Sequence, residues 1–522
     1  MMETLTLILD DCRIKVNKEK LASKSCYFAS LFSHNFNDSH NKEHVINYDI
    51  PLATLENFVE WIHDDMDRVE IQCHSLKASM TKFVNKNFTE LLSLLQLSVL
   101  FVVDELTNDA IDIIVINWLL PEKLIDIWLL AQELNVKVLQ DICLATCLDR
   151  FEELPLPSLV ELSKKNITLL LQYVNVRASI EYLQFVRNEW IQHHMRSDIP
   201  DIKCERQLKF IQGIVVYKMY ECTKKDPYLY IWNHNVFSKC TELKHKQCSE
   251  NSIMGMQVAS RGFNIYTVGG EMGLGTGKFN DIIWRYSLIS KKWYYQAKLP
   301  IPRRHMVVAF LKNKLTIVGG VGKHRLKLFS VDILDIHTGE WKKGAKVPES
   351  FTEIQPYCVK DGKLFLLLST IYIYYLEGNY WQTILNYRYS SVRVDEFFAH
   401  DATLFLLTLR LGEPVLSRID IVKFTMSTDC KKEKYLKQYA EHNTFALLAL
   451  SRSKSTVHED DLYQLRYADV SDIGIMLLND GGDDKYQFVY LNSETRRDLR
   501  NFSIPKSGCF NIMDPDTLYN IM

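Results

Sequence analysis

A chain of 522 residues with 47% hydrophobic content is long enough for two to four domains, each with its own core. Its 62 basic and 64 acidic residues nearly cancel, which argues against a global field made for nucleic acid or an anionic membrane. No targeting segment stands at the start, where Glu3 is acidic and the apolar run stops at Asp10, and the longest apolar run, 91–103, is too short to cross a bilayer. The chain is expected in the cytoplasm, with the nucleus also open.

In chain order, TLTLILDD (4–11) and RIKVN (13–17) predict two strands, KEKLASKSCYFASLFSH (18–34) a helix, and VINYDI (45–50) a third strand. LATLENFVEWI (52–62) predicts a helix, and TELLSLLQLSVLFVVDEL (89–106) a helical pair after a longer stretch at 70–87. Residues 119–154 read as two amphipathic helices, followed by helical patterns at 156–176 and 179–191. None of the first 212 residues is glycine, while all twenty glycines lie at or beyond Gly213. That break predicts a helix-rich front and a back made of turns and strands.

The back half repeats. TVGG, ending in Gly269 and Gly270, precedes a strand in which Tyr286 and Trp293 are seven apart; TIVGG, ending in Gly319 and Gly320, precedes one with Leu334 and Trp341 at the same spacing. The glycine pairs recur after 50 residues, a period suited to a propeller blade. A third copy keeps Tyr374 and Trp381 but has Leu368 and Ser369 in place of the glycines. Two fainter copies follow, with Lys431 and Arg497 in place of tryptophan, and a degenerate unit over about 211–243 precedes the clear ones. The glycines let the chain leave an inner strand without a side chain meeting the next blade, and the tryptophan fills the gap between blades. Six units fit the space, with the closing strand left open.

The glycine pair with spaced Tyr and Trp resembles the kelch repeat. The front resembles the BTB domain, in strand order and in Ser25, Tyr27, Phe28, Leu31 and Phe32 of its early helix. The helices between resemble the BACK region. Resemblance to the BTB-BACK-kelch family covers essentially the whole chain and implies a multidomain protein: an α+β BTB domain (1–117), a short all-α BACK region (118–205) and an all-β propeller of six blades (206–522). Many members are substrate adaptors of cullin-3 ubiquitin ligases. BTB and the first BACK helices hold the cullin, the propeller holds a protein substrate, and a homodimer through BTB is implied. The competing expectation is a scaffold of the same architecture that binds actin or other partners and no cullin.

Phe36, Asn37 and Asp38 occupy the places of the family's hydrophobic, variable and acidic cullin contact. Such a Phe fills an apolar groove beside a polar rim; the alternative is that Phe36 packs inward and Asp38 caps the next turn. Arg303 aligns with an arginine that kelch repeats often carry where the chain enters the channel, with Arg304 and His305 beside it. It is open to two roles, pairing with an acidic substrate segment or tying neighbouring blades through carbonyls. Thr4 and Asn17-Lys18 depart from the family's buried Asp and His-Arg pair, BACK is short after Trp190, and the chain starts almost at the first strand, so dimerisation is expected to be weaker.

No enzyme is expected, nor any metal or cofactor: neither GxSxG nor HExxH occurs. GGEMGLGTGKFND (269–281) suggests a phosphate loop, but Met272 and Phe279 stand where a P-loop needs glycine and a hydroxyl, so it reads as a blade loop. HDDMD (63–67) and NDGGDD (479–484) lack a calcium loop's closing Glu. The twelve cysteines form no CxxC pair, and Cys143 and Cys147, four apart on a predicted helix, read as core thiols.

Overall fold

The computed structural model describes residues 3–33, 41–63, 88–173, 176–195, 199–202, 210–218, 228–233, 236–243, 253–273, 275–384, 394–400, 403–410, 413–420, 426–429, 446–450, 472–478, 486–490, 502–503, 509–513 and 515–519. The chain divides into two compact units, Met1–Ile167 with Phe185–Ser197, and Thr168–Gln184 with Asp198–Met522.

The first unit opens with a hairpin of β1 (Thr4–Leu9) and β2 (Cys12–Asn17), turned at Asp10, whose φ is 50°. Leu5, Leu7 and Leu9 alternate into the core, as a half-buried strand requires. Strand β3 (Glu43–Val45) pairs parallel with β1, completing the order β2-β1-β3. The third strand thus lies ahead of the expected 45–50 segment and shares only Val45 with it. The pairing ends at the Ile46 N–H to Ile8 carbonyl bond because β1 itself reverses at Asp10.

The helix expected over 18–34 is two, α1 (Lys18–Lys24) and α2 (Cys26–Leu31). Ser25 separates them with extended backbone; its Oγ accepts the Phe28 N–H and donates to the Phe101 carbonyl at 2.6 Å. Asn17 caps α1 by accepting the Lys20 N–H, and its own N–H donates to His63 Nε2 at 3.1 Å. A polar contact therefore exists at the departing Asn17-Lys18 position, built from α3 (Leu52–His63).

Helices α4 (Phe88–Leu100) and α5 (Asp104–Asn117) follow, divided at Val102, whose φ is 51°. Then come α6 (Pro121–Glu133), with Pro at its first turn, α7 (Lys137–Asp149), α8 (Leu156–Val160), α9 (Lys164–Gln172) and α10 (Ile180–His194). Buried Trp190 donates its indole N–H to the Leu162 carbonyl at 2.8 Å. No helix among the described residues is long and apolar enough to cross a membrane.

The second unit is rich in antiparallel strands, in successive sheets consistent with a propeller. Its first sheet runs Phe210–Lys218, Tyr228–Asn233, Val236–Glu242, and Phe502–Ser503 and Cys509–Met513 near the C terminus both pair with Phe210–Lys218. The second contains Gln257–Arg261, Asn264–Val268, Ile282–Ser287 and Lys292–Lys298; the third Val307–Leu311, Lys314–Val318, Val331–Asp335 and Trp341–Gly344. The fourth contains Tyr357–Lys360, Lys363–Leu367, Ile371–Tyr375 and Tyr380–Thr383, and the fifth runs from Val394–His400 to Met426–Asp429. Ala446–Leu450, Asp472–Leu478 and Tyr486–Tyr490 form the next.

Core side chains lie between consecutive sheets. Leu229 and Leu243 pack with Ile265 and Tyr286; Ala259 and Tyr266 with Val308 and Ile317; Val307 and Val331 with Leu364 and Tyr374; Phe365 and Ile373 with Phe397 and Leu404. The second, third and fourth sheets each contribute to a core on both faces, as a stacked-repeat architecture requires.

Candidate partner-docking face

In the second and third sheets the loop after the second strand meets the segment that leads into the third or fourth sheet. Gly269 (φ 63°) and Gly270 (φ 98°) make the first corner; a Cβ on Gly269 would sit 2.6 Å from the Arg303 carbonyl oxygen, and one on Gly270 would overlap Ile253. Gly319 (φ 58°) and Gly320 (φ 90°) make the second, where added Cβ atoms would sit 2.6 Å from the Phe351 ring and from the Arg304 carbonyl oxygen. Left-handed backbone and close approach together demand glycine here.

The aromatic pairs sit at the opposite strand ends. Tyr286 faces Trp293 across adjacent strands with ring centroids 5.0 Å apart, and Trp293 donates its indole N–H to Glu242 of the first sheet. Tyr374 and Trp381 repeat this at 4.9 Å, and Trp381 donates to the Ala345 carbonyl at the end of the third sheet at 2.9 Å. Trp341 pairs with Leu334 and packs into the core between the second and third sheets.

The Arg303 side chain joins the segment entering the third sheet to that sheet itself and, among the described residues, reaches no neighbouring sheet. The side chain is fully buried, its Nε donates to Ile301 and its Nη1 to the Gly319 carbonyl at 3.2 Å, and Nη2 binds buried Asp332. Burial pulls the guanidinium below its usual pKa, and Asp332 opposes that pull. Arg304 pairs with Glu271 across the second and third sheets. Burial alone would raise the Glu271 pKa, but N–H groups of Gly277 and Gly275 together with Arg304 hold it below the ordinary value. The phosphate-loop-like segment thus spends an amide on its own carboxylate, with Gly277 N–H donating to Glu271 at 2.8 Å. His305 is half-buried in left-handed backbone (φ 56°), and its Nδ1 donates to the Thr352 carbonyl at 2.9 Å. Burial pulls its pKa down, favouring the neutral ring.

Beside His305 lies an open cavity of about 270 Å³ lined by Glu349, Phe351, Thr352, Glu353, Leu368 and Ser369, among others. Glu349 Oε1 accepts from Ser369 Oγ and from the Tyr372 hydroxyl at 2.5 Å, and Oε2 accepts the Ser369 N–H at 3.3 Å. Nothing in the sequence points to Glu349, Glu271 or Asp332, because their partners arrive from other loops or strands.

Phe36, Asn37, Asp38, Lys431, Arg497, the NDGGDD segment and most of HDDMD lie outside the described residues. Cys143 and Cys147 are buried in α7, and burial pushes both thiols up, leaving them neutral. Among the described residues no group of His, Cys, Asp and Glu could hold a metal.

The chain thus carries an N-terminal α/β module, helices after it and a strand-rich region. Its front module is specific: the family model described as BTB/POZ domain matches residues 2–106. That domain mediates protein–protein interaction and dimerisation in general and is usually non-catalytic. No curated protein matches the chain.

Proposed function

We propose that the chain is a substrate adaptor of a cullin-3 RING ubiquitin ligase. The BTB domain and the helices after it, of BACK type, engage the cullin, and the strand-rich region, a kelch-type propeller of six blades, holds a protein substrate. The carrying observation is an interaction domain joined to sheets that repeat one device, an indole N–H donated to the preceding sheet at Trp293 and Trp381. Pairing of Cys509–Met513 with Phe210–Lys218 supports closure of a ring by the C-terminal strand. In this proposal Phe36 anchors in the cullin groove with Asn37 and Asp38 at its rim, and the end carrying Arg304 and His305 faces the substrate. Work in the cytoplasm and BTB homodimerisation belong to the same proposal.

Co-purification tests it. Tagged chain should bring down cullin-3, and Phe36→Ala with Asp38→Ala should abolish that while leaving the BTB fold intact by circular dichroism. If parent and variant both fail to bind cullin-3, the adaptor role is gone. A non-catalytic scaffold then remains, for which actin co-sedimentation is the first assay.

A further inference from the structure

Residues 282–331 contain eleven Lys and Arg and no Asp or Glu, in a chain whose charges otherwise nearly cancel. Five of these cations are matched by acids from outside the stretch: Lys298 by Asp281, Arg303 by Asp332, Arg304 by Glu271, Lys312 by Glu377 and Lys314 by Asp335. Lys323, Arg325 and Lys327 are exposed and make no ion pair among the described residues. All three lie on one loop, between the second and third strands of the third sheet.

The same loop exposes apolar surface. Leu326 is 63% and Phe329 44% exposed, while Leu328 between them is turned inward at 7%. The loop is also held in shape. Gly322 N–H donates to Leu326, Leu326 N–H to Lys323 and Leu328 N–H to Gly320, and Val321 bridges both Lys327 and Arg304. His324 and Arg325 take left-handed backbone, φ 55° and 57°, uncommon without glycine and sustained only where surroundings enforce it. Three cations and two apolar side chains are therefore presented with little conformational freedom left to lose.

We propose that residues 322–329 are a docking surface for an acidic, apolar-bearing peptide segment of a partner protein, an inference that rests on the adaptor reading for the partner's role. Charge complementarity fixes the sign, and Leu326 and Phe329 fix the second requirement, since exposed apolar groups beside cations are best covered by apolar side chains. A nucleic acid fits less well. It would call for a longer stripe of phosphate contacts than one loop offers.

The test is fluorescence anisotropy on the full chain with a short fluorescein-labelled peptide of alternating Glu and Leu. It should bind, with Gln-Leu and Glu-Ser counterparts at least about tenfold weaker. Arg325→Glu with Lys327→Glu should weaken the Glu-Leu peptide about tenfold and flatten its salt dependence. Leu326→Ser with Phe329→Ser should weaken it severalfold and leave the salt dependence in place. All four side chains are exposed, so melting by circular dichroism should match the parent. Equal binding of the Gln-Leu peptide, indifference to charge reversal, or tighter binding of a labelled oligothymidylate would each overturn the proposal. Cullin-3 takes no part in the assay. Peptide binding without cullin binding leaves the surface on a scaffold, whereas cullin binding without peptide binding removes the surface alone.

Discussion

The third and fourth sheets solve one problem by opposite chemistry. Each must turn after its second strand where the chain leading into that sheet crowds the corner. In the third, Gly319 and Gly320 take left-handed backbone, and Arg303 on the entering segment donates to the Gly319 carbonyl. In the fourth, Leu368 and Ser369 are not left-handed, and Glu349 on the entering segment accepts from the Ser369 N–H and hydroxyl. One corner is fixed by a cation on a carbonyl, the other by an anion on an amide. A lost glycine pair therefore need not mean a lost sheet, because a carboxylate can hold a corner that side chains can occupy.

The largest effect should come from Arg303→Met. It leaves Asp332, 1% exposed, with the outer Lys343 as its one charged partner among the described residues, and breaking a buried pair typically costs about 3–5 kcal/mol. Thermal melting should show a loss of that order in the strand-rich region. Next is Gly320→Ala. A left-handed non-glycine residue costs on the order of 1–3 kcal/mol, and the overlap with the Arg304 carbonyl adds to it. Ser369→Ala is the matched variant in the fourth sheet. It should cost clearly less, and if the two cost the same, the contrast between the corners is mistaken.

How far these corners could be read beforehand follows from where their partners sit. The glycine pairs and the Tyr286–Trp293 and Tyr374–Trp381 spacings are local and span single hairpins, so they are visible in the sequence. The break at Ser25 was hidden because the apolar pattern of 18–34 runs through it, and only the Phe101 carbonyl, 76 residues away, makes Ser25 a junction. Arg303 was visible as a special arginine, but its buried ion pair with Asp332 was not, since Asp332 arrives on the third strand of the third sheet. Glu349 was invisible: a glutamate in a loop carries no sign that Ser369 and Tyr372 will reach it. The strand-rich character of the back half was legible from glycines alone, while the pairing of Cys509–Met513 with Phe210–Lys218 depends on contacts across most of the unit.

The smallest effect, and the one that separates the corners most cleanly, is Glu349→Gln. Burial by itself would raise the Glu349 pKa, but the Ser369 hydroxyl, the Tyr372 hydroxyl and the Ser369 N–H outweigh it and hold the group below the ordinary glutamate value. A depressed folded pKa contributes stability above the unfolded pKa and loses it as pH falls through the folded one. The melting difference between parent and Glu349→Gln should thus be full at neutral pH, about 1 kcal/mol or less because the carboxylate is partly solvated, and should vanish in acid below the normal glutamate range. Tyr372 carries the mirror image. Burial and the Glu349 carboxylate push it up to about 12, so its contribution persists below the ordinary tyrosine value and is lost as pH rises through the shifted one. Removing the Glu349 charge should move the Tyr372 titration, followed by ultraviolet absorbance, back toward that ordinary value. Gly319 and Gly320 have nothing to titrate, and the cost of Gly320→Ala should stay constant across the same acid range. A cost that instead faded in parallel with that of Glu349→Gln would mean that both variants report general acid unfolding and not the chemistry of their corners.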